Sequence, residues 1–251
     1  MFSNHQIIRL QNYQMVVLAV DTTGKNGSLA LARAAEGRSE VDVLEVLPLA
    51  GGAFSAQLVP QIALLLEKHG CNKRDLGGLI VASGPGSFTG LRVGLAAVKA
   101  LGEALQKPII AVSALEAVAR SGVSRGRVLA LLDAGRGDVY AGDYEFDLQV
   151  ATNSGARVRM HSERLLGLDE LIAEANYPGA RLKAIVTPDA ALAEKVRAAG
   201  IQVELIAYPN SGVLAQLGWE HLQRGDTVRP EALEANYLRR SDAEIFSKPA
   251  R

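Results

Sequence analysis

Met15-Val-Val-Leu-Ala-Val-Asp-Thr-Thr-Gly-Lys-Asn-Gly-Ser-Leu-Ala-Leu-Ala32 is the stretch whose reading decides how this chain folds. Met15 to Val20 is apolar at every position, the pattern of a strand buried on both faces. Asp21 to Gly27 supplies turn chemistry, and Ser28 to Ala32 alternates into a second strand. Val41 to Leu47 reads as a third. Three consecutive strands with short turns imply an antiparallel opening.

Beyond it the period changes. Ser55 to His69 reads as a helix with Ser55 as N-cap, Gly70 as stop and Pro60 bending it rather than ending it. Gly78 to Ser83 is a strand, Ser87 to Gln106 a long helix and Pro108 to Val112 a further strand. Strand-helix-strand order requires crossovers and therefore a parallel section of sheet. The second half repeats the plan. Arg127 to Asp133, Asp138 to Phe146 and Ala156 to Ser162 read as strands. The helix Leu168 to Asn176, strand Leu182 to Thr187, helix Asp189 to Ala199, strand Ile201 to Leu205 and helix Ser211 to Arg224 follow. Each half is thus βββαβα in order, and each first strand ends in an Asp, Asp21 and Asp133. The sequence predicts an α/β protein with a subdomain over 1–115 and another over 116–224, residues 225–251 packing back on the first. This plan resembles the actin, sugar-kinase and Hsp70 ATPase superfamily, the actin-like or ribonuclease H-like ATPase fold. Two generic α/β domains that merely start alike are the alternative.

The chain has 251 residues, 48% of them apolar, enough for a real core, but only 5% aromatic, so Leu, Val, Ile and Ala must build it. Lys plus Arg and Asp plus Glu both total 27. A protein that grips a nucleic-acid backbone by itself carries a basic surplus, so an RNA substrate is expected to be held mainly by another subunit. The single Cys71 excludes an intramolecular disulfide and suits a reducing compartment. No apolar run is long enough to span a bilayer, and Met1 to Gln14 lacks the pattern of a secretory signal. A cytoplasmic location is expected, with the leader an extra strand, an arm or a start-site artefact.

Two loops carry candidate chemistry. Asp21, Thr22, Thr23, Gly24, Gly27 and Ser28 form a hairpin of the kind that faces phosphates in actin-like ATPases, where backbone N–H groups and small hydroxyls approach the anion. Ordinary turn chemistry explains the same residues. Ser83-Gly-Pro-Gly-Ser-Phe-Thr-Gly-Leu-Arg-Val-Gly94 leaves a strand, turns on Gly and Pro, and opens a helix whose N-terminus suits an anion. It is neither a Walker A loop nor a dinucleotide fingerprint. A strand-to-helix turn capped by Ser87 is the plain reading.

The segment Gly84, Pro85, Gly86, Ser87, Phe88, Thr89, Gly90, Leu91 and Arg92 resembles the hallmark of the TsaB (YeaZ) family. Val17 to Thr23 is similar to that family's start, Leu131 to Tyr140 to its mid-chain segment, and Asn236-Tyr-Leu-Arg239 to its C-terminal Tyr-Leu-Arg. The likeness runs from about Met15 to Glu244. Two positions depart from it: Phe54-Ser55 stands where His-Ser is frequent, and Gly135 displaces the basic residue to Arg136. The resemblance implies a non-catalytic scaffold or activating subunit for transfer of threonylcarbamoyl to N6 of adenosine 37 in ANN-decoding tRNAs. It implies a TsaD-like catalytic partner, a TsaE-like ATPase, tRNA held through the complex, and a homodimer when the chain is alone. It implies no intrinsic cofactor, with ATP or ADP bound only in the assembled complex.

The residues argue a related case by themselves. His5, His69, His161 and His221 are far apart in sequence, so no helical His pair marks a metal site. Cys71 has no obvious partner, and no Gly-x-Ser-x-Gly elbow is present, which disfavours a peptidase. A stand-alone ATPase or phosphotransferase would be expected to show paired glycines in the second half, and Gly-Gly occurs only in the first. The first-half helices are apolar over most of their circumference, more than one buried face requires. Leu58, Ile62, Leu65, Leu91, Gly94, Ala97, Val98 and Leu101 are therefore read as a partner interface, the small residues permitting close helix approach. Mutual packing of the two helices is the alternative.

Overall fold

In the computed structural model, which describes residues 14–35, 38, 40–147 and 158–239, β1 (Gln14–Asp21) lies in the middle of a five-stranded sheet. That position explains its unbroken apolar run. Val16, Leu18 and Val20 point into one hydrophobic cluster, and Val17 and Ala19 into another on the opposite face. The sheet order is β3-β2-β1-β4-β5, with β2 (Gly27–Ala35) and β3 (Val41–Leu49) antiparallel and β4 (Leu76–Gly84) and β5 (Ile109–Ser113) parallel. Helices α1 (Phe54–Lys68) and α2 (Phe88–Leu105) cover one face.

The second lobe reuses this plan. Its sheet runs β10-β9-β6-β7-β8, with β6 (Gly126–Gly135) where β1 stands in the first. Strands β7 (Asp138–Phe146) and β8 (Val158–Gly167) are antiparallel to their neighbours, and β9 (Leu182–Thr187) and β10 (Val203–Leu205) parallel. Val128, Ala130 and Leu132 face one cluster, Leu129 and Leu131 the other. This is the two-lobed, duplicated actin-like arrangement.

Three expectations need correction. A helix absent from the sequence reading, α3 (Ala114–Ser121), follows β5, so each unit is βββαβαβα. Ser113 caps it, its hydroxyl accepting from Leu115 N at 3.1 Å. Helix α6 (Ser211–Gln223), assigned above to the second subdomain, packs instead on the first sheet, with Leu214, Leu217 and Trp219 in its core. Meanwhile α3 covers the second sheet through Leu115, Val118 and Ala119. Helix α1 starts one residue before Ser55, and its N-cap Ala53 makes no side-chain bond. The helix continues through Pro60, which stands on the exposed side with Ala56, so water can satisfy the carbonyl that proline leaves free. It stops at Gly70 (φ +62°), where Cys71 N bonds Leu66 O and Gly70 N bonds Glu67 O. This is a Schellman ending.

The expected strand 156–162 lies partly outside the described residues, as does the leader before Gln14. The two remaining helices, α4 (Leu168–Ala175) and α5 (Ala190–Ala198), cover the outer face of the second sheet.

Candidate functional site

Between the lobes lies a cleft of about 600 Å3. Thr23, Gly24, Ser55, Ser87 and Thr89 line its first-lobe wall, and Asp133, Tyr140 and Asp189 the other. Tyr208, in the link between the lobes, closes one end. Its hydroxyl is turned toward Asp21 and Gly24, and burial followed by the charge of Asp21 pushes it up to about 12.

The hairpin residues do not face this cleft as a set. Asp21 is only 4% exposed, and its Oδ1 accepts from both Thr23 N (2.8 Å) and Thr23 Oγ1 (2.7 Å). Burial raises its carboxyl above the usual range against the pull of those two bonds. Thr22 is buried and gives its hydroxyl to Gly90 O at 2.7 Å. Ser28 is engaged with Ser211, whose N donates to Ser28 Oγ at 2.9 Å, so this serine anchors the start of α6. Gly27 approaches Phe54 and the Asp21 carbonyl. Only Thr23 and Gly24 of the six reach the cleft wall.

What closes the hairpin is the hallmark segment. Ser87 N donates to Thr23 O at 2.7 Å, and Ser87 Oγ caps α2 by accepting from Gly90 N at 3.3 Å. A methyl group on Gly86 would overlap Thr23, one on Gly90 the Thr22 carbonyl, and one on Gly94 the Thr22 hydroxyl. The absence of a Cβ at these glycines lets the helix start lie directly on the hairpin. Gly84 (φ +107°), which precedes a cis Pro85, directs the chain into this contact. Phe88 and Arg92 turn the other way, toward the C-terminal segment. Arg92 stacks 3.8 Å over the Phe88 ring and donates to Tyr237 OH at 3.1 Å.

The second lobe's equivalent hairpin is open. Asp133 is exposed, lines the cleft, and accepts from Gly135 N at 2.9 Å. Asp189 also faces the cleft while capping α5 through Leu192 N at 3.0 Å. The resulting walls set hydroxyls against two carboxylates, and among the described residues no His or Cys lines them. Among the described residues, too, no group of three His, Cys, Asp or Glu side chains could hold a metal ion. His69 pairs with Glu45, His161 with Glu145 and His221 with Glu116, each away from the cleft. Cys71 Sγ donates to His69 O at 3.5 Å.

The expected partner interface is also redistributed. Leu58, Ile62, Leu65, Leu91 and Val98 are buried inside the first lobe, and Gly94 is taken up by Thr22; Ala97 and Leu101 are half-buried. These are the sheet-facing positions. The face left in solvent carries Ala56, Val59 (60% exposed), Pro60, Ala63 and Leu64 (56%) on α1, with Ala96 and Ala100 on α2. Positions 56, 59, 60, 63 and 64 fall on one helix face, so the stripe on α1 is continuous. An all-round apolar helix does not announce which face meets its own sheet, and only the tertiary contacts decide it.

A family model described as TsaD, tRNA N6-adenosine threonylcarbamoyltransferase, matches residues 48–245. The TsaB protein of tRNA threonylcarbamoyladenosine biosynthesis from Bacillus subtilis is 35% identical over 133 residues, 53% of this chain and 56% of that protein. The TsaB protein of Escherichia coli is 31% identical over 136 residues, with the same coverage of 53% and 56%. The chain thus spans little more than half the length of these curated relatives. The solved structure of YeaZ from Pseudomonas aeruginosa superposes with a TM-score of 0.69 at 25% identity, covering 89% of this chain and all of that one.

Proposed function

We propose, because this chain belongs to the TsaB/YeaZ group of the TsaD family, that it is a non-catalytic scaffold and activator of a TsaD-like catalyst in tRNA threonylcarbamoyladenosine formation. The observation that carries this reading is the apolar stripe left in solvent on α1. Val59 and Leu64 stand out beside Pro60 and Ala63, on a lobe whose own core is already complete. Contiguous apolar surface of this kind marks an interaction site. The TsaD-like subunit is its proposed occupant, with a second copy of the chain taking its place when that subunit is missing. A TsaE-like ATPase and tRNA join through the assembled complex.

The sealed first hairpin supports the non-catalytic half of the proposal. Thr23 N and the Thr23 carbonyl, groups that a phosphate loop would leave available, are bonded within the chain. ATP or ADP, if held, is then held in the assembled complex, where a partner completes the cleft. Among the described residues no helix is long and apolar enough to cross a membrane.

Co-expression with the TsaD homologue of the same organism, followed by size exclusion, tests the proposal. The two chains should elute together, and depletion of this chain should remove the tRNA modification. Separate elution, together with intact modification after depletion, would sink it.

A further inference from the structure

Residues 226–239, which follow α6, belong to neither repeated unit. They begin on the first lobe, where Val228 N donates to Ile109 O at 2.8 Å and Leu233 is buried in the α1 and α2 core. Asn236 N then bonds Ser83 O at 2.7 Å. The last two described residues lie on the other lobe: Leu238 packs against the second core, and Arg239 Nη2 donates to Asp138 Oδ2 at 2.8 Å.

At the crossing point stands a carboxylate that has no part in the cleft. Glu163, on β8, accepts from Asn236 Nδ2 with Oε2, and from the Ser113 and Tyr144 hydroxyls with Oε1. One side chain therefore joins the C-terminal segment, the start of the connecting helix α3 and the second sheet. Its two oxygens together receive three donors, from residues 19, 50 and 73 positions away that only the folded chain brings together. Such an acceptor fixes geometry as well as adding stability.

The position of this tie matters. Before the C-terminal segment, the described chain passes between lobes at Ser113 to Gly126 and at Leu205 to Ser211. Ala114 and Pro209 from these passages border one small void with Leu214, on the α6 side of the first sheet. The C-terminal segment crosses on the opposite side, where the Asn236 carbonyl lies against Gly84 and the Tyr237 ring is 5.2 Å from that of Phe88. Two passages on one side leave a hinge. A third connection on the other side restrains rotation about it.

We propose that residues 226–239 are an interlobe strap, clasped by Glu163, that sets how widely the cleft opens. The proposal does not depend on the identity of any partner. It is tested on the full chain carrying Cys71→Ser, Lys25→Cys and Ala190→Cys, with spin labels on the two lips of the cleft, by pulsed electron-electron distance measurement. The parent should give one narrow distribution. Adding Asn236→Ala and Arg239→Ala should broaden it and move it several ångströms to longer distance, and Asn236→Ala alone should do so partially. Lys99→Ala, which removes a 3.5 Å bond to Glu231 O where the strap lies wholly on the first lobe, should leave the distribution unchanged. An unchanged distribution in the folded strap variants, or an equal shift with Lys99→Ala, would overturn the proposal.

Discussion

The two lobes begin with the same device and use it in opposite ways. Asp21 ends β1 and Asp133 lies two residues before the end of β6, each at the entry to its lobe's first hairpin. Asp21 is buried on the α6 side of the first sheet, beside Ala114, Pro209 and Leu214, and its Oδ1 accepts from Thr23 N and Oγ1. Asp133 is open to the cleft. The difference comes from what packs around each: Pro209 and Leu214 lie against Asp21 from the α6 side, and Gly86, Gly90 and Gly94 let α2 settle onto Thr22 and Thr23, whereas Asp133 stands in the cleft wall. The duplicated fold leaves one hairpin accessible and makes the other part of a core.

This contrast can be broken most sharply at the glycines. Gly90→Ala forces a methyl group into the Thr22 carbonyl, and should cost about 3 kcal/mol or more in denaturant unfolding, as overpacking against backbone does. On the second hairpin Gly137 has φ +87°, and a methyl group placed there would meet nothing within 4 Å. Gly137→Ala should therefore cost only about 1 kcal/mol, from backbone strain alone. Equal losses would mean that the first hairpin is not sealed as described. Thr22→Val removes the buried bond to Gly90 O and should destabilise by about 1–2 kcal/mol, whereas Asp133→Asn, at an exposed site, should stay within about 0.5 kcal/mol of the parent.

A smaller effect is expected from pH. The Asp21 carboxyl is raised above its ordinary value of 3.8 by burial, so ionising it costs the folded state. That penalty is absent below the unfolded value and grows as pH rises from there through the folded one. Asp21→Asn keeps an oxygen for Thr23, and should stabilise the chain at neutral pH by an amount that shrinks as pH falls toward about 4. Glu116 works in the other direction. Burial would raise its carboxyl, but the His221 hydrogen bond and the Arg120 charge hold it below 4.5. Its contribution is therefore present above that value and lost on acidification, a trend that Glu116→Gln should flatten in unfolding curves taken across the acid range.

Much of the skeleton is legible in the sequence because the relevant signals are local. β1 is readable from an apolar run with both faces buried, and the end of α1 from Gly70. Helix α3 is not legible in the same way: eight residues divide their apolar side chains between two lobes, Ala117 facing one and Leu115 and Val118 the other, so no single stripe emerges. The placement of α6 depends on Ser211 meeting Ser28, 183 positions away, which no periodicity encodes. The hallmark glycines are visible, but whether they make room for an anion or for Thr22 depends on what packs above them. Likewise α1 is plainly too apolar for one buried face, yet only the sheet beneath it separates Leu58, Ile62 and Leu65 from Val59 and Leu64.

The chain's function turns on which of these surfaces it uses. Affinity for the proposed TsaD-like partner, measured by titration calorimetry for Leu64→Glu and Asp21→Asn beside the parent, addresses that choice directly. Leu64→Glu places a charge on the exposed stripe and should abolish binding while the chain remains folded; Asp21→Asn should bind as the parent does. Parental affinity in Leu64→Glu, or binding lost in a folded Asp21→Asn, would contradict the assignment of function to the α1 face over the sealed hairpin.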